Sequence, residues 1–151
     1  MKLALWMDAK ARAARTVPQA LALLNSIPGG PNIQVPLRYD GELKAKIDAA
    51  YPTGILNALI DKAPIRSVPI DSLVTVTQHT VNRDRVAQHL KNFGLVGKGQ
   101  RHEDHGGIVD VPIVIAFQGQ HALWDGNHRT MAETLLGGRR IKARYVDLPA
   151  A

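Results

Sequence analysis

The 151 residues include no cysteine, so no disulfide can brace the fold and no thiolate can bind a metal or act as a nucleophile. No apolar run approaches the roughly 20 residues that a helix needs to cross a bilayer. An apolar stretch follows Lys2, but Asp8 and Lys10 interrupt it too early for the core of a signal peptide, and the expectation is a cytoplasmic protein with no membrane partner. Acidic residues are the other shortage. The chain has 13 Asp and Glu against 19 Lys and Arg, a formal net charge of +6 and a pI near 9.9. That balance favours an anionic partner. The 45% hydrophobic content is ordinary and supports a single globular core.

The most informative segment is Leu123-Trp124-Asp125-Gly126-Asn127-His128-Arg129-Thr130. Residues 111–117 form a β-rich apolar run, Gln118-Gly119-Gln120 is a turn signal, and residues 121–124 read as a second short strand. Residues 130–136 have helical composition and stop at Gly137-Gly138. Asp125 to Arg129 therefore falls where a buried strand turns sharply into a helix. Gly126 lets backbone approach a ligand closely, and the N–H groups that open a helix have no internal acceptors and attract anions. His128 and Arg129 add polar and cationic contacts at the same point. Gly126, Asn127, His128, Arg129 and Thr130 are thus candidate phosphate ligands. The plainer alternative is a Gly-Asn turn that starts a helix, with a solvated arginine.

Five basic residues, Arg129, Arg139, Arg140, Lys142 and Arg144, stand against Glu133 alone in the stretch that follows. Arg140, Lys142 and Arg144 alternate with Ile141, Ala143 and Tyr145, so a strand there shows three cations on one face. That face either lines a nucleic-acid or nucleotide cleft or protects an edge strand by charge.

Upstream, residues 1–62 read as mostly helical. Residues 3–14 are Ala-rich, Pro18 suits the first turn of a helix running to Asn25, Asp40 caps a helix over 41–50, and Thr53 caps another over 54–61. A strand is expected over 67–73 and a helix over 83–93, with Val86 and Leu90 four apart. The Gly-rich stretch 94–107 contains Arg101-His102-Glu103-Asp104-His105, which reads as a solvated loop or as ligands for a hard divalent ion.

The segment Gly126-Asn127-His128-Arg129, with Ala132, Gly137 and the strand 141–146, resembles the C-terminal half of the ParB/sulfiredoxin superfamily. Val68-Pro69-Ile70-Asp71-Ser72-Leu73, Gln78 and the helix at 83–92 resemble the opening of the same domain, and the likeness covers about residues 66–147. Sulfiredoxins carry a catalytic Cys immediately before the His-Arg pair; Asn127 stands there, which excludes that thiol chemistry. The helix-turn-helix domain of chromosome-partitioning members is not among these residues. The Asp-Gly-X-His-Arg form instead resembles ParB-like nuclease domains of phages and plasmids, and is similar to the free-serine kinases of this fold.

The resemblance implies an α/β (α+β) fold with a small mixed sheet, flanking helices, a helical N-terminal extension (1–62) and a ParB/sulfiredoxin-like domain (66–151). It also implies that Asp125, His128 and Arg129 belong to an active site, with Gln78 and His79 near the phosphate turn. ATP or CTP, DNA, and Mg²⁺ or another divalent ion held by Asp125 are the corresponding ligands. Three activities share these residues: hydrolysis of nucleotide or phosphodiester bonds, phosphorylation of a small molecule, and phosphate binding without turnover in a phage or plasmid DNA-binding or adaptor protein.

Overall fold

A computed structural model describes residues 14–35, 37–96 and 111–149. The helix expected over 3–14, apart from Ala14, and the loop Arg101 to His105 lie outside the described residues.

Among the described residues, five α-helices and eight strands make a mixed α/β fold. Thr16 opens α1 (Val17–Ser26): its hydroxyl accepts from Gln19 N, while the Gln19 side chain accepts from Thr16 N, a reciprocal capping box. Asp40 accepts from Leu43 N and starts α2 (Gly41–Ala50), as its sequence position suggests. Helix α3 (Thr53–Asp61) begins one residue before the expected start. Thr53 is already helical, and the Pro52 carbonyl accepts from Ile55 and Leu56. Helix α4 spans Arg83–Val96 and α5 spans Asn127–Leu135.

Short strands β1 (Asn32–Gln34) and β5 (Thr80–Asn82) pair antiparallel. The six-stranded sheet contains β2 (Arg38–Tyr39), β3 (Ile65–Pro69), β4 (Leu73–Thr75), β6 (Ile113–Phe117), β7 (Gln120–Asp125) and β8 (Arg140–Asp147), in the order β2-β4-β7-β6-β8-β3. Both parallel and antiparallel pairs occur. The β6–β7 hairpin closes through Gln118 (φ 51°) and Gly119 (φ 75°), the two left-handed positions of a type I′ turn.

The single strand expected over 67–73 is divided. Pro69 has no N–H to continue a ladder, so β3 ends there and a 3-10 turn, Ile70–Ser72, follows. The Ser72 hydroxyl donates to Pro69 O at 2.7 Å, and the chain re-enters the same sheet as β4, with β7, β6 and β8 between it and β3. Val68, Ile70 and Leu73 nevertheless reach one cluster, with Val114, Leu123, Ile141 and Ala143.

Sequence periodicity predicts one core shared by Val68, Leu73, Ile113 and Ile115 (or Val111, Val114 and Ala116 on the other face), Leu123, Leu135 and Val146. The sheet separates them, because side chains alternate between its two faces. Ile115 and Val146 pack with Leu43 and Ile47 of α2 and Leu56 and Ile60 of α3. Leu135 joins a third cluster with Ala20 and Leu24 of α1, Val86 and Leu90 of α4, and Ile33 and Val81. Residues 14–62 thus supply strands to both sheets and side chains to these cores. No described helix is long and apolar enough to cross a membrane.

Arg83 fastens α1 to α4. Its guanidinium donates to the carbonyls of Leu24, which also accepts from Ile27 N, and of Ile27 at the end of α1, and to those of Gly29 and Gly30 in the turn that follows. Its own N–H donates to Pro31 O at 2.7 Å. A lysine cannot reproduce this fork. Arg83→Lys should therefore lose about 1–3 kcal/mol in urea unfolding, because several carbonyls lose charge-assisted donors. A change below about 0.5 kcal/mol would show that water replaces the fork without cost.

Candidate functional site

The strand-to-helix turn is built by a bulge and a glycine. Register along β6 and β7 runs from Val114↔Leu123 to Ile113↔Asp125, which makes Trp124 the extra residue and re-aims the end of β7. Gly126 follows with φ 97° and ψ 26°, a left-handed conformation, and α5 begins at once. This start is three residues earlier than composition suggested. The first N–H bonded within the helix is that of Thr130, to Gly126 O at 2.9 Å, so the N–H groups before it lie outside the intrahelical ladder. Gly126 N instead donates to Asp125 Oδ1 at 2.8 Å. Asp125 is thus an exposed carboxylate at the positive end of α5, and it shapes the turn.

Two side chains of the motif point inward. Asn127 is 5% exposed and donates from Nδ2 to Thr77 Oγ1 at 3.2 Å, while its Oδ1 is buried without a hydrogen-bond partner among the described residues. Thr130 is 1% exposed, and its Oγ1 is likewise buried and unpartnered there. Asn127 therefore offers a surface ligand its backbone N–H rather than its side chain, and Thr130, whose N–H is bonded to Gly126 O, offers neither.

His128 faces α4. Its Nε2 accepts from Asn82 N at 3.1 Å, so in the neutral ring Nδ1 carries the proton and remains the donor. Burial, then Arg85, then His89 push its pKa down to about 4, with Asp125 opposing them. At neutral pH His128 is an uncharged imidazole and adds no cationic charge to the turn.

Arg129 lies on another side of α5. Together with Ser67, Glu133, Arg140, Ile141 and Lys142 it lines a cavity of about 340 Å³. The structure thereby unites Arg129, expected at the turn, with Arg140 and Lys142, expected on a separate nucleic-acid face. Arg140 Nε donates to Ser67 Oγ at 2.7 Å and Nη2 to Ser67 O at 3.0 Å, which holds its guanidinium across β3. Arg144 shares their strand face but turns to α3, donating from Nη1 to Asp61 O at 3.2 Å. Glu133 has its pKa raised by burial, with Arg129 pulling it the other way.

Glu133, Ser67, Arg85 and His89 escaped sequence reasoning. Only Glu133 carried a signal, its position four residues after Arg129, where helical side chains meet. Of Gln78 and His79, the latter stacks on Tyr39 with ring centroids 5.3 Å apart and accepts from Val35 N through its carbonyl. Among the described residues no group of three or more His, Asp or Glu is placed to hold a metal ion. Asp125 has no such group around it among the described residues, and one carboxylate is a poor match for a divalent ion. No protein-family model matches the chain, and no curated protein matches it at a significant level.

The depressed pKa of His128 has a measurable consequence. Its folded value, about 4, lies below the unfolded 6.5, so between these limits the unfolded chain holds more protons. The resulting stability is complete above about pH 6.5 and is lost as the pH falls towards 4. After allowance for partial exposure the loss is on the order of 1–2 kcal/mol. Glu133, whose folded pKa is raised, contributes in the opposite direction. A His128→Gln variant keeps an acceptor for Asn82 and cannot titrate. Its melting temperature should fall by a few degrees less than the wild type's between pH 7 and pH 4, and parallel profiles would disprove the neutral buried ring.

Proposed function

We propose that this chain is a ParB/sulfiredoxin-like protein that binds phosphate esters, as a nucleotide such as ATP or CTP or as the backbone of DNA, and hydrolyses them. The observation that carries this reading is the meeting of Arg129, Arg140 and Lys142, from a helix and a strand, around one cavity on the flank of α5, the helix that Gly126 opens. Cations from separate elements in one concavity match a phosphate better than a solvated face does.

In this reading the N–H groups opening α5 hold one phosphoryl oxygen, and Arg129 offsets the charge. Neutral His128 donates from Nδ1 to a second oxygen. Asp125, exposed at the turn, accepts a proton from the attacking water as the new P–O bond forms; the ester P–O bond breaks with its electron pair on the departing oxygen, which takes a proton from solvent, and Asp125 returns its own proton to solvent. Binding without turnover is the second reading. It is favoured by the bond from Gly126 N to Asp125 Oδ1, which gives the carboxylate a purely conformational task.

Two substitutions separate these readings. Arg129→Ala should weaken calorimetric binding of ATP, CTP or a short DNA by about one to two decades, the worth of a charge-assisted phosphate contact. Asp125→Asn should leave affinity within a few-fold and remove most hydrolysis. Normal turnover in Asp125→Asn would favour anchoring alone, and unchanged binding in Arg129→Ala would remove the phosphate site itself.

The basic cavity adds a salt signature if the ligand is DNA. Neutralising Arg140 and Lys142 to Gln should lower the slope of log affinity against log salt by up to about 2. Arg144→Gln should change it little, because that guanidinium is engaged with α3. Equal slopes for all three positions would argue for diffuse attraction.

A further inference from the structure

A second cavity, of about 390 Å³, lies between the tip of the β6–β7 hairpin and the end of β8. Register explains its shape. Ala116 of β6 pairs with His121 on one side and with Asp147 on the other, so a small side chain separates two polar ones in a cross-strand row. Tyr145, two residues before Asp147, points to the same face. Its hydroxyl reaches diagonally over β6 to His121 Nε2 at 3.0 Å.

The proton order in this row is fixed by its last member. Ser72 Oγ donates to Pro69 O, so towards His121 Nδ1, 2.9 Å away, it acts as acceptor. Nδ1 therefore carries the imidazole proton, and Nε2 accepts from the Tyr145 hydroxyl. Every polar proton of the chain Tyr145–His121–Ser72 is thus used internally, and the Tyr145 oxygen keeps its lone pairs for a donor from outside.

Asp147 adds a carboxylate that has no hydrogen bond or ion pair among the described residues. Arg66 and Arg38 are nearby cations, but Arg66 lies over the Tyr145 ring, 5.3 Å from its centroid, and Arg38 donates to Gln120 Oε1. Neither lines the cavity. An uncompensated carboxylate beside an acceptor hydroxyl, in a chain of net charge +6, selects for positive charge.

We infer that this cavity is a binding site for a cationic hydrogen-bond donor, a primary amine or guanidinium, held between Asp147 and the Tyr145 oxygen. The site is separate from the proposed phosphate turn and does not depend on it. Its volume is at the lower end of small-molecule sites and admits a short amine or one arginine-like group.

Titration of the full chain with agmatine, followed by amide NMR, tests the assignment. Shifts should concentrate in residues 116–121 and 145–149, and butyrate at the same concentration should not produce them. Asp147→Asn, at an exposed position, should weaken agmatine at least about tenfold, the order expected for one charge-assisted contact. Tyr145→Phe should weaken it by a smaller factor while leaving the fold signature of the spectrum intact. Acetyl-Gly-Arg-Gly-amide separates the two sources of this chemistry: tighter agmatine binding assigns a free small-molecule cation, and tighter peptide binding assigns an arginine side chain of a partner. Equal shifts from butyrate, no shifts at millimolar agmatine, or wild-type affinity in Asp147→Asn would each overturn the inference.

Discussion

Pro112 lies so close to Gly126 that a Cβ on the glycine would fall 2.7 Å from the proline Cβ and 2.8 Å from its Cα. No side chain fits there, and the left-handed φ already disfavours one. The same proline accepts from Arg144 N through its carbonyl at 2.9 Å. One residue therefore joins the entry to β6, the turn into α5 and the middle of β8. The cavity around Arg129, Arg140 and Lys142 has walls on α5, on β8 and, through Ser67, on β3, and this contact ties the first two together. Displacing the glycine by even the ångström that a methyl demands would move these two walls and the N–H groups that open the helix.

Around that fixed turn the charges are arranged unevenly. His128 stands at a helix start next to Arg85 and His89, where a second positive charge would be opposed on every side except that of Asp125. It stays neutral, and its acceptor Nε2 secures Asn82, whose own side chain accepts from Arg85 N at the start of α4. The motif histidine thus has a definite structural task as well as a polar Nδ1–H to offer. Glu133 tempers the basic cavity from within. Gly138 makes room for it, since a Cβ there would meet its Oε1 at 2.6 Å. A half-buried carboxylate beside Arg129 offsets part of that cation's charge within the cavity.

What could be read from the sequence was what depends on local rules. The hairpin, the glycine turn, Pro18 in the first turn of α1, the cap at Asp40 and the alternation of β8 each rest on a few adjacent residues, and each has its expected place. Non-local events were not legible. The division of 67–73 depends on Pro69 ending one ladder and on β7 being available for the next, a fact about strand order. The early start of α5 depends on Gly126 being left-handed against Pro112, fourteen residues away in sequence. Arg144 looked equivalent to Arg140 and Lys142 because period-two reasoning places all three on one face. It does not reveal that α3 ends beside one of them. His121 and Tyr145 carried no signal either, because the small Ala116 that lets them meet belongs to a third strand.

Strand β8 carries opposite chemistry at its two ends, and the separation sets how far these regions influence each other. Arg140 and Lys142 stand at its start, facing the side that packs on α2 and α3, as Val146 does. Tyr145 and Asp147 stand near its end and face the other way. From Lys142 to Asp147 the rise is about 17 Å, at roughly 3.3 Å per residue. That distance is about two Debye lengths at physiological ionic strength, and the sheet lies between. The carboxylate at one end therefore cannot neutralise the cations at the other, and each end keeps its own preference for charge. At low salt the screening length grows to about 30 Å, and the two ends then act on each other. An anion near Lys142 would then make a cation near Asp147 more favourable, a coupling that fades as salt is added.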